Sequence, residues 1–253
     1  MSDEQWQKIS RWALFFEEKV WPIFLLYFSA TNMMFLVVFR KAIWEDFREL
    51  FGGGVNDISK ITFLLDFNIR IIAIAFNLIV LLALLTRKKQ PQTFKNAKEL
   101  LVPLATVFFY FAYNLMPLFP KDLDSYLLPI AIMPVTFMLG NLFILSGLVI
   151  SAIAVFNLRN SFAIFVETRG IVDKGIYGIS RHPIYLGYLV KTIGACLLNF
   201  FTGYFVLSFL FLGLLIYRSL LEEQKMLKYC PEYHEYRRKT PSLFLQCFFL
   251  DRR

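Results

Sequence analysis

Residues 175–187 read Gly-Ile-Tyr-Gly-Ile-Ser-Arg-His-Pro-Ile-Tyr-Leu-Gly, and an almost wholly apolar stretch continues to Phe200. The stretch contains His182, one of only two histidines in the chain, and a polar run that includes Asp173 and Lys174 precedes it. Charged residues at the edge of a membrane segment usually mark a site for a polar ligand. We therefore expect the chemistry of this protein here, together with the diglutamate Glu222-Glu223 downstream.

The composition indicates a protein that spans a membrane. Hydrophobic residues make up 57% of the chain, and 29 of its 253 residues are Phe, whereas soluble domains are about 45–50% apolar. A helix needs roughly 17–25 apolar residues to cross a bilayer. We predict an all-α, polytopic membrane bundle of about six transmembrane helices, at about 21–39, 63–86, 99–119, 126–156, 184–200 and 202–221.

The last two predicted spans form an antiparallel hairpin, because only residues 200–203 separate them. The outer ends of such a hairpin lie on the same side of the membrane. The hairpin therefore predicts that Arg181 and His182, at its start, lie close to Glu222 and Glu223, at its end.

The positive charges predict the orientation. Twenty Lys and Arg residues fall in the N-terminal tail, the loops at 87–98 and 157–183 and the tail from Arg218, against five in the opposite loops. This bias places both termini of a multi-pass protein in the cytoplasm. Topology and anionic lipid then explain the net charge of +8, and they make a nucleic-acid partner the weaker interpretation.

Two features of the motif suit an anionic ligand. Pro183 fits the first position of a helix, whose free backbone N–H groups can receive an anion, and Arg181 adds a guanidinium fork suited to a carboxylate or phosphate. The alternative is an Arg-His pair that only contacts lipid headgroups. Glu222 and Glu223 stand at a helix C-terminus, which disfavours negative charge, so one of them needs a compensating partner unless both are simply solvated.

The segment after the last span predicts an amphipathic helix. Tyr229, Tyr233 and Tyr236 share one helical face, and Pro231 should break or kink the helix near Cys230. These aromatic rings either face a ligand cation or form an interfacial belt. No Cys or His stands at metal-ligand spacing, so no metal site is predicted.

Taken together, residues 175–187, the apolar hairpin, Glu222-Glu223 and the Tyr-x-x-Tyr ending resemble the membrane methyltransferases. This superfamily includes the isoprenylcysteine carboxyl methyltransferases and the phospholipid methyltransferases. The resemblance covers about residues 140–244, and residues 158–162 are similar to the segment that precedes the motif in these proteins.

The resemblance implies S-adenosylmethionine bound at the cytoplasmic ends of the last helices. It implies catalytic roles for Arg181 and Glu222. The implied cofactor-binding residues are Gly175, Tyr177, Arg181, His182, Pro183, Tyr185, Gly187, Glu222, Glu223, Tyr233 and Tyr236.

The acceptor implied is a lipid or lipidated molecule that arrives from the bilayer, such as a prenylcysteine carboxylate, a phospholipid amine or a thiol. We predict N-terminal membrane helices over 1–125 and a methyltransferase-like core over 126–253. The chain has Ser242-Leu243-Phe244 where relatives carry an arginine and a second proline, and its Gly140 and Gly147 form no Gly-x-Gly motif. An NADPH-dependent oxidoreductase of the sterol-reductase type and a non-catalytic membrane scaffold remain alternatives.

Overall fold

The predicted all-α class is confirmed by the computed structural model of the chain. The model describes residues 3–41, 44–45, 48, 58–87, 94, 96–115, 133–158, 161–165, 170–198 and 202–242, and none of these residues is in a strand. The helices are α1 (Asp3–Phe15), a π-helical turn (Phe16–Val20), α2 (Trp21–Val38), α3 (Ile58–Thr86), α4 (Lys98–Leu115), α5 (Met133–Leu158), a 3₁₀ turn (Gly175–Gly178), α6 (Pro183–Leu198), α7 (Thr202–Tyr229) and α8 (Tyr233–Lys239).

One helix occupies the described part of each of the six predicted spans. Among the described residues, four helical segments are long and apolar enough to cross a membrane: Glu4–Val38, Phe67–Thr86, Val135–Leu158 and Gly203–Tyr229. Helix α6 is a shorter apolar helix of 16 residues. Helix α4 begins with the charged pair Lys98-Glu99 and is not among the four. The start of the predicted fourth span, 126–132, lies outside the described residues.

Helix α6 packs most extensively against α5, and α5 also packs against α3. Helix α2 lies on α3, and α4 lies on α7. The largest group of buried apolar side chains joins α3, α5 and α7 through residues such as Val80, Leu148 and Tyr204. The N-terminal helices therefore pack directly on the part of the chain that carries the motif.

Glycines bring α5 and α6 into backbone contact. The two helices are antiparallel, with Gly140 opposite Gly194 and Gly147 opposite Gly187. A Cβ atom at Gly147 would lie 2.5 Å from the Gly187 carbonyl oxygen, and one at Gly194 would lie 2.5 Å from the Gly140 carbonyl oxygen. Small residues are the usual means by which membrane helices approach so closely. The close contact positions the N-terminus of α6, where the motif ends.

The predicted break near Pro231 is confirmed, because α7 ends at Tyr229 and α8 begins at Tyr233. The predicted common face of three tyrosines is wrong. Tyr229 ends α7 and is 40% exposed, whereas Tyr233 and Tyr236 are buried on α8. The break changes the direction of the chain, so the regular spacing of the three residues no longer places them on one surface.

Replacing Gly147 with Ala should lower the stability of the folded protein by about 1–3 kcal/mol, because the new methyl group overpacks the α5–α6 contact. Gly213→Ala on α7 is the matched control, since no atom lies within 4 Å of a Cβ there and alanine favours helix. The measurement is the thermal unfolding midpoint of each variant in detergent. An equal midpoint for the two variants would contradict the packing role of Gly147.

Candidate functional site

The predicted meeting of the hairpin ends is confirmed. The Nε2 atom of His182 lies 2.9 Å from Oε1 of Glu223, and both side chains are buried. Nε of Arg181 lies 3.2 Å from the same oxygen and forms an ion pair with it, not a hydrogen bond. Glu223, on α7, thus holds the two motif residues that immediately precede α6.

The neighbouring carboxylate, Glu222, has a separate set of partners. The Tyr185 hydroxyl donates to Oε1 of Glu222 at 2.5 Å, and Nε of Arg218 donates to the same oxygen at 3.2 Å. The rings of His182 and Tyr185 stack with centroids 5.4 Å apart and planes inclined by 7°. The two adjacent carboxylates are therefore compensated independently, one by His182 and Arg181 and the other by Arg218 and Tyr185.

Arg218 is a site residue that the sequence analysis missed. Its side chain is buried one helical turn before Glu222, and its Cζ atom lies 5.6 Å from the Tyr185 ring centroid. Nη2 of Arg218 also donates to the backbone carbonyl of Ile164. The available signal was the spacing of Arg218 and Glu222, because oppositely charged residues four apart on a helix are neighbours.

Residues 236–242 close over the motif from the C-terminal side. The Pro241 carbonyl accepts from the Arg181 N–H at 2.9 Å, and the Arg237 carbonyl accepts from Nη1 of Arg181 at 2.7 Å. Ser242 accepts from the Ser180 hydroxyl through its carbonyl, and its own hydroxyl donates to Oε1 of Glu223 at 3.1 Å. These bonds hold residues 180–182 in place. Ser242, one of the departures from the family pattern, thus takes part in holding the motif.

A cavity of about 170 Å³ adjoins these residues. One end is lined by polar and aromatic side chains: Tyr177, His182, Tyr185, Arg218, Glu222, Tyr233 and Tyr236. The remaining wall is mainly apolar and comes from α2, α3, α4, α5 and α7, with residues such as Trp21, Leu25, Phe76, Val80 and Val107. The cavity therefore joins a polar end, built by the motif and the tail, to an apolar wall built largely by the N-terminal helices.

The predicted site residues fall into groups. Six line the cavity, namely Tyr177, His182, Tyr185, Glu222, Tyr233 and Tyr236. Arg181 and Glu223 lie behind His182 and support it.

Three further predicted site residues shape the backbone. Gly175 adopts a φ of +64° against the Asn157 side chain, a conformation that glycine takes at little cost. Pro183 is the first residue of α6, as predicted. A Cβ atom at Gly187 would meet Gly147 and Ser151 of α5, so this glycine lies in the helix crossing.

The two tyrosines of α8 have phenol groups that stay protonated. Burial raises the pKa of Tyr233 and of Tyr236 above the ordinary value, and the negative charge of Glu223 adds to the increase. The Tyr236 hydroxyl donates to the Tyr177 carbonyl at 2.7 Å. Both phenols are therefore neutral hydrogen-bond donors at the polar end of the cavity.

Tyr236→Phe should destabilise the contact between α8 and the motif by about 1 kcal/mol, since it removes one buried hydrogen bond. Tyr217→Phe removes a phenol oxygen from a residue that is 39% exposed on α7 and serves as the control. The rate of limited proteolysis after residue 229 measures the effect. An identical rate in both variants would contradict the role of this bond.

Comparison with known proteins gives a match over part of the chain. No curated protein matches the chain. A sequence model of the phospholipid methyltransferase family matches residues 135–230. The matched segment contains nearly all of α5, the motif, and the whole of α6 and α7. The resemblance to the isoprenylcysteine and phospholipid methyltransferase superfamily is thereby confirmed over residues 135–230.

Proposed function

We propose that this protein transfers a methyl group from S-adenosylmethionine to a lipidic or membrane-partitioned acceptor. The observation that carries the proposal is that the cavity lining overlaps the segment that matches a methyltransferase family. Most of the polar side chains that line the cavity, including His182, Tyr185, Arg218 and Glu222, fall within the segment that matches the phospholipid methyltransferase family.

The side chains of the polar end fit the methyl donor. The ligand carries a sulfonium cation, which suits the faces of aromatic rings and the carboxylate of Glu222. Its ribose hydroxyls can form hydrogen bonds with the Glu222 carboxylate and with the phenol groups of Tyr233 and Tyr236, and its adenine can stack on an aromatic ring such as that of His182. When bound, the ligand supplies an electrophilic methyl group.

Within this proposal the residues of the chain bind and orient. Tyr185 and Arg218 hold the Glu222 carboxylate at the cavity wall, so its charge needs little reorganisation when a cation arrives. Glu223, which does not line the cavity, holds the His182 ring through its contact with Nε2. Holding donor and acceptor in contact supplies much of the rate of a displacement reaction. A carboxylate or thiolate acceptor needs no general base.

Arg181 receives a different role in this proposal from the one the resemblance implied. Its side chain is 3% exposed and is engaged by Glu223 and the Arg237 carbonyl. A guanidinium committed in this way is poorly placed to contact an acceptor. We therefore assign Arg181 to positioning, and we assign to Arg218 and Glu222, which line the cavity, the contact with ligands.

The apolar wall supports an acceptor with a hydrocarbon portion. Trp21, Leu25, Phe76, Val80 and Val107 come from three different helices and line the cavity. An alkyl chain that enters from the bilayer exchanges one apolar environment for another, so such a wall can hold it without exposing it to water. A small volatile acceptor would leave this wall without a partner.

The orientation follows from the charges. The excess of Lys and Arg in the tails and in the 87–98 and 157–183 loops favours a cytoplasmic location for both termini. The motif and Glu222-Glu223 then face the cytoplasm, where the methyl donor is made. The protein is in this view an integral, multi-pass membrane enzyme.

The first experiment measures binding of S-adenosylmethionine and of NADPH to the detergent-purified protein by calorimetry. We expect binding of the methyl donor alone, and Glu222→Gln should weaken it by about tenfold or more because a charged hydrogen-bond partner is lost. His182→Ala and the double change Glu222→Gln, Glu223→Gln should abolish binding. Glu235→Gln is the matched control, since Glu235 is exposed, pairs with Lys239 on α8 and does not line the cavity.

Selective binding of NADPH would replace the proposal with an oxidoreductase of the sterol-reductase type. Binding of neither S-adenosylmethionine nor NADPH, in the presence of lipid, would favour a non-catalytic membrane scaffold. Unchanged affinity in the Glu222 and His182 variants, with the wild type still binding, would overturn the assignment of the site.

The apolar wall is tested by enlarging one of its residues. Val80→Phe should reduce methyl transfer to a lipid acceptor at least several-fold while leaving donor affinity unchanged, because the larger ring takes up space beside the apolar wall. Leu78→Phe, on the same helix but 49% exposed, is the control. Transfer of radiolabelled methyl groups to phospholipid, prenylcysteine and thiol acceptors is the measurement. Equal transfer by both variants would exclude the acceptor from this wall.

A further inference from the structure

A buried carboxylate lies in the N-terminal part of the chain, far in sequence from the segment that matches the methyltransferase family. Glu17 belongs to the π-helical turn Phe16–Val20 between α1 and α2, and it is 0% exposed. A π-helical turn locally rotates the following residues relative to an α-helix and is frequent at functional sites. A buried carboxylate is costly unless it is paired and hydrogen-bonded, so the contacts of Glu17 identify what it holds.

Each oxygen of Glu17 has a defined partner. Nη1 of Arg87, at the end of α3, lies 2.5 Å from Oε2, and only 6% of the Arg87 side chain is exposed. Oε1 accepts a hydrogen bond from the backbone N–H of Ile164. Glu17 therefore ties the segment 161–165 to two N-terminal helices.

The contact continues from Ile164 to the cavity. The Ile164 carbonyl accepts from Nη2 of Arg218, and Nε of Arg218 donates to Glu222. Ile164, Arg218 and Glu222 all line the cavity, whereas Glu17 is not among the lining residues. The path thus consists of two buried ion pairs, Arg87–Glu17 and Arg218–Glu222, joined by the N–H and carbonyl groups of Ile164. Hydrogen bonds in such a buried network strengthen one another.

We propose that Glu17 is a positioning residue of the methyl-donor site: by holding the Ile164 backbone it fixes Arg218, and through Arg218 it fixes the Glu222 carboxylate. This inference rests on the proposed function for the identity of the ligand. It also assigns a role to the N-terminal helices, since they supply a residue without which the carboxylate that contacts the ligand loses its orientation.

The test compares two variants of Glu17 with one matched control. Glu17→Leu removes both contacts, and Glu17→Gln keeps an oxygen that can accept from the Ile164 N–H. The control is Glu99→Gln. Nζ of Lys225 lies 2.6 Å from Oε2 of Glu99, and this equally buried ion pair joins α4 to α7 without lining the cavity.

Two quantities are measured for each protein. Calorimetry gives the affinity for S-adenosylmethionine, and hydrogen exchange with mass spectrometry gives the protection of the amides in residues 161–165. We expect Glu17→Leu to weaken binding by about tenfold and to speed exchange at Ile164. Glu17→Gln should restore the affinity to within about threefold of wild type, and Glu99→Gln should change neither quantity, although both substitutions disturb a buried ion pair.

The outcomes separate the two proposals. The positioning role is overturned if Glu17→Gln weakens S-adenosylmethionine binding as much as Glu17→Leu does. It is also overturned if Glu99→Gln weakens binding as much as Glu17→Leu does, because Glu17 would then contribute only to general stability. If the wild type binds no S-adenosylmethionine, the proposed function fails, and hydrogen exchange then decides the inference alone. Faster exchange at Ile164 in Glu17→Leu but not in Glu99→Gln supports it, and unchanged exchange overturns it. If Glu17→Leu does not fold, Glu17→Ala takes its place, because the shorter side chain also removes both contacts, and the same two outcomes decide the inference.

Discussion

Two adjacent carboxylates, buried on one helix, are the constraint around which this protein is organised. Glu222 and Glu223 repel each other, and burial is costly for a carboxylate that has no partner. They do not stand at a helix C-terminus as the sequence predicted, because α7 continues to Tyr229. Successive residues on a helix point about 100° apart, so no single cation serves both. The structure supplies Arg218 and Tyr185 to Glu222, and His182, Arg181 and Ser242 to Glu223.

Satisfying the carboxylates determines how close the neighbouring helices must come. His182 and Tyr185 lie at the N-terminus of α6, and they reach α7 only if α6 is held at a defined height and distance. The contact of α6 with α5 provides this, because Gly147 and Gly187 leave no side chain between the two backbones. A packing feature of the membrane interior thus supports an arrangement of charges at the end of the helices.

The short-range parts of the site could be predicted from the sequence, and the long-range parts could not. The short turn between the last two predicted spans was enough to bring Arg181 and His182 close to Glu222 and Glu223, and Pro231 was enough to end α7. Arg218 was visible four residues before Glu222 but resembled an ordinary charge at a helix end. Glu17 could not be found in this way, because it lies 147 positions before Ile164 in the chain. The sequence alone does not show whether a glutamate is buried or exposed.

The role of the glycines in α5 and α6 also could not be predicted from the sequence. Gly140 and Gly147 are unremarkable as single letters in an apolar run, and Gly187 was expected to contact the cofactor. Their partnership becomes apparent only when the seven-residue spacing on α5 is set against the equal spacing of Gly187 and Gly194 on α6. Such a match has meaning only once the two helices are known to be neighbours and antiparallel.

The closure of residues 236–242 over the motif has a consequence for biosynthesis. Membrane helices are inserted one after another during translation and associate afterwards. His182 and Arg181 enter the bilayer region well before the ribosome reaches Ser242, whose hydroxyl and carbonyl complete their surroundings. The nascent chain therefore carries an incomplete pocket while residues 183–242 are synthesised. Assembly of the site is a late, post-insertional event, because it waits for the C-terminal segment after the membrane helices have been made.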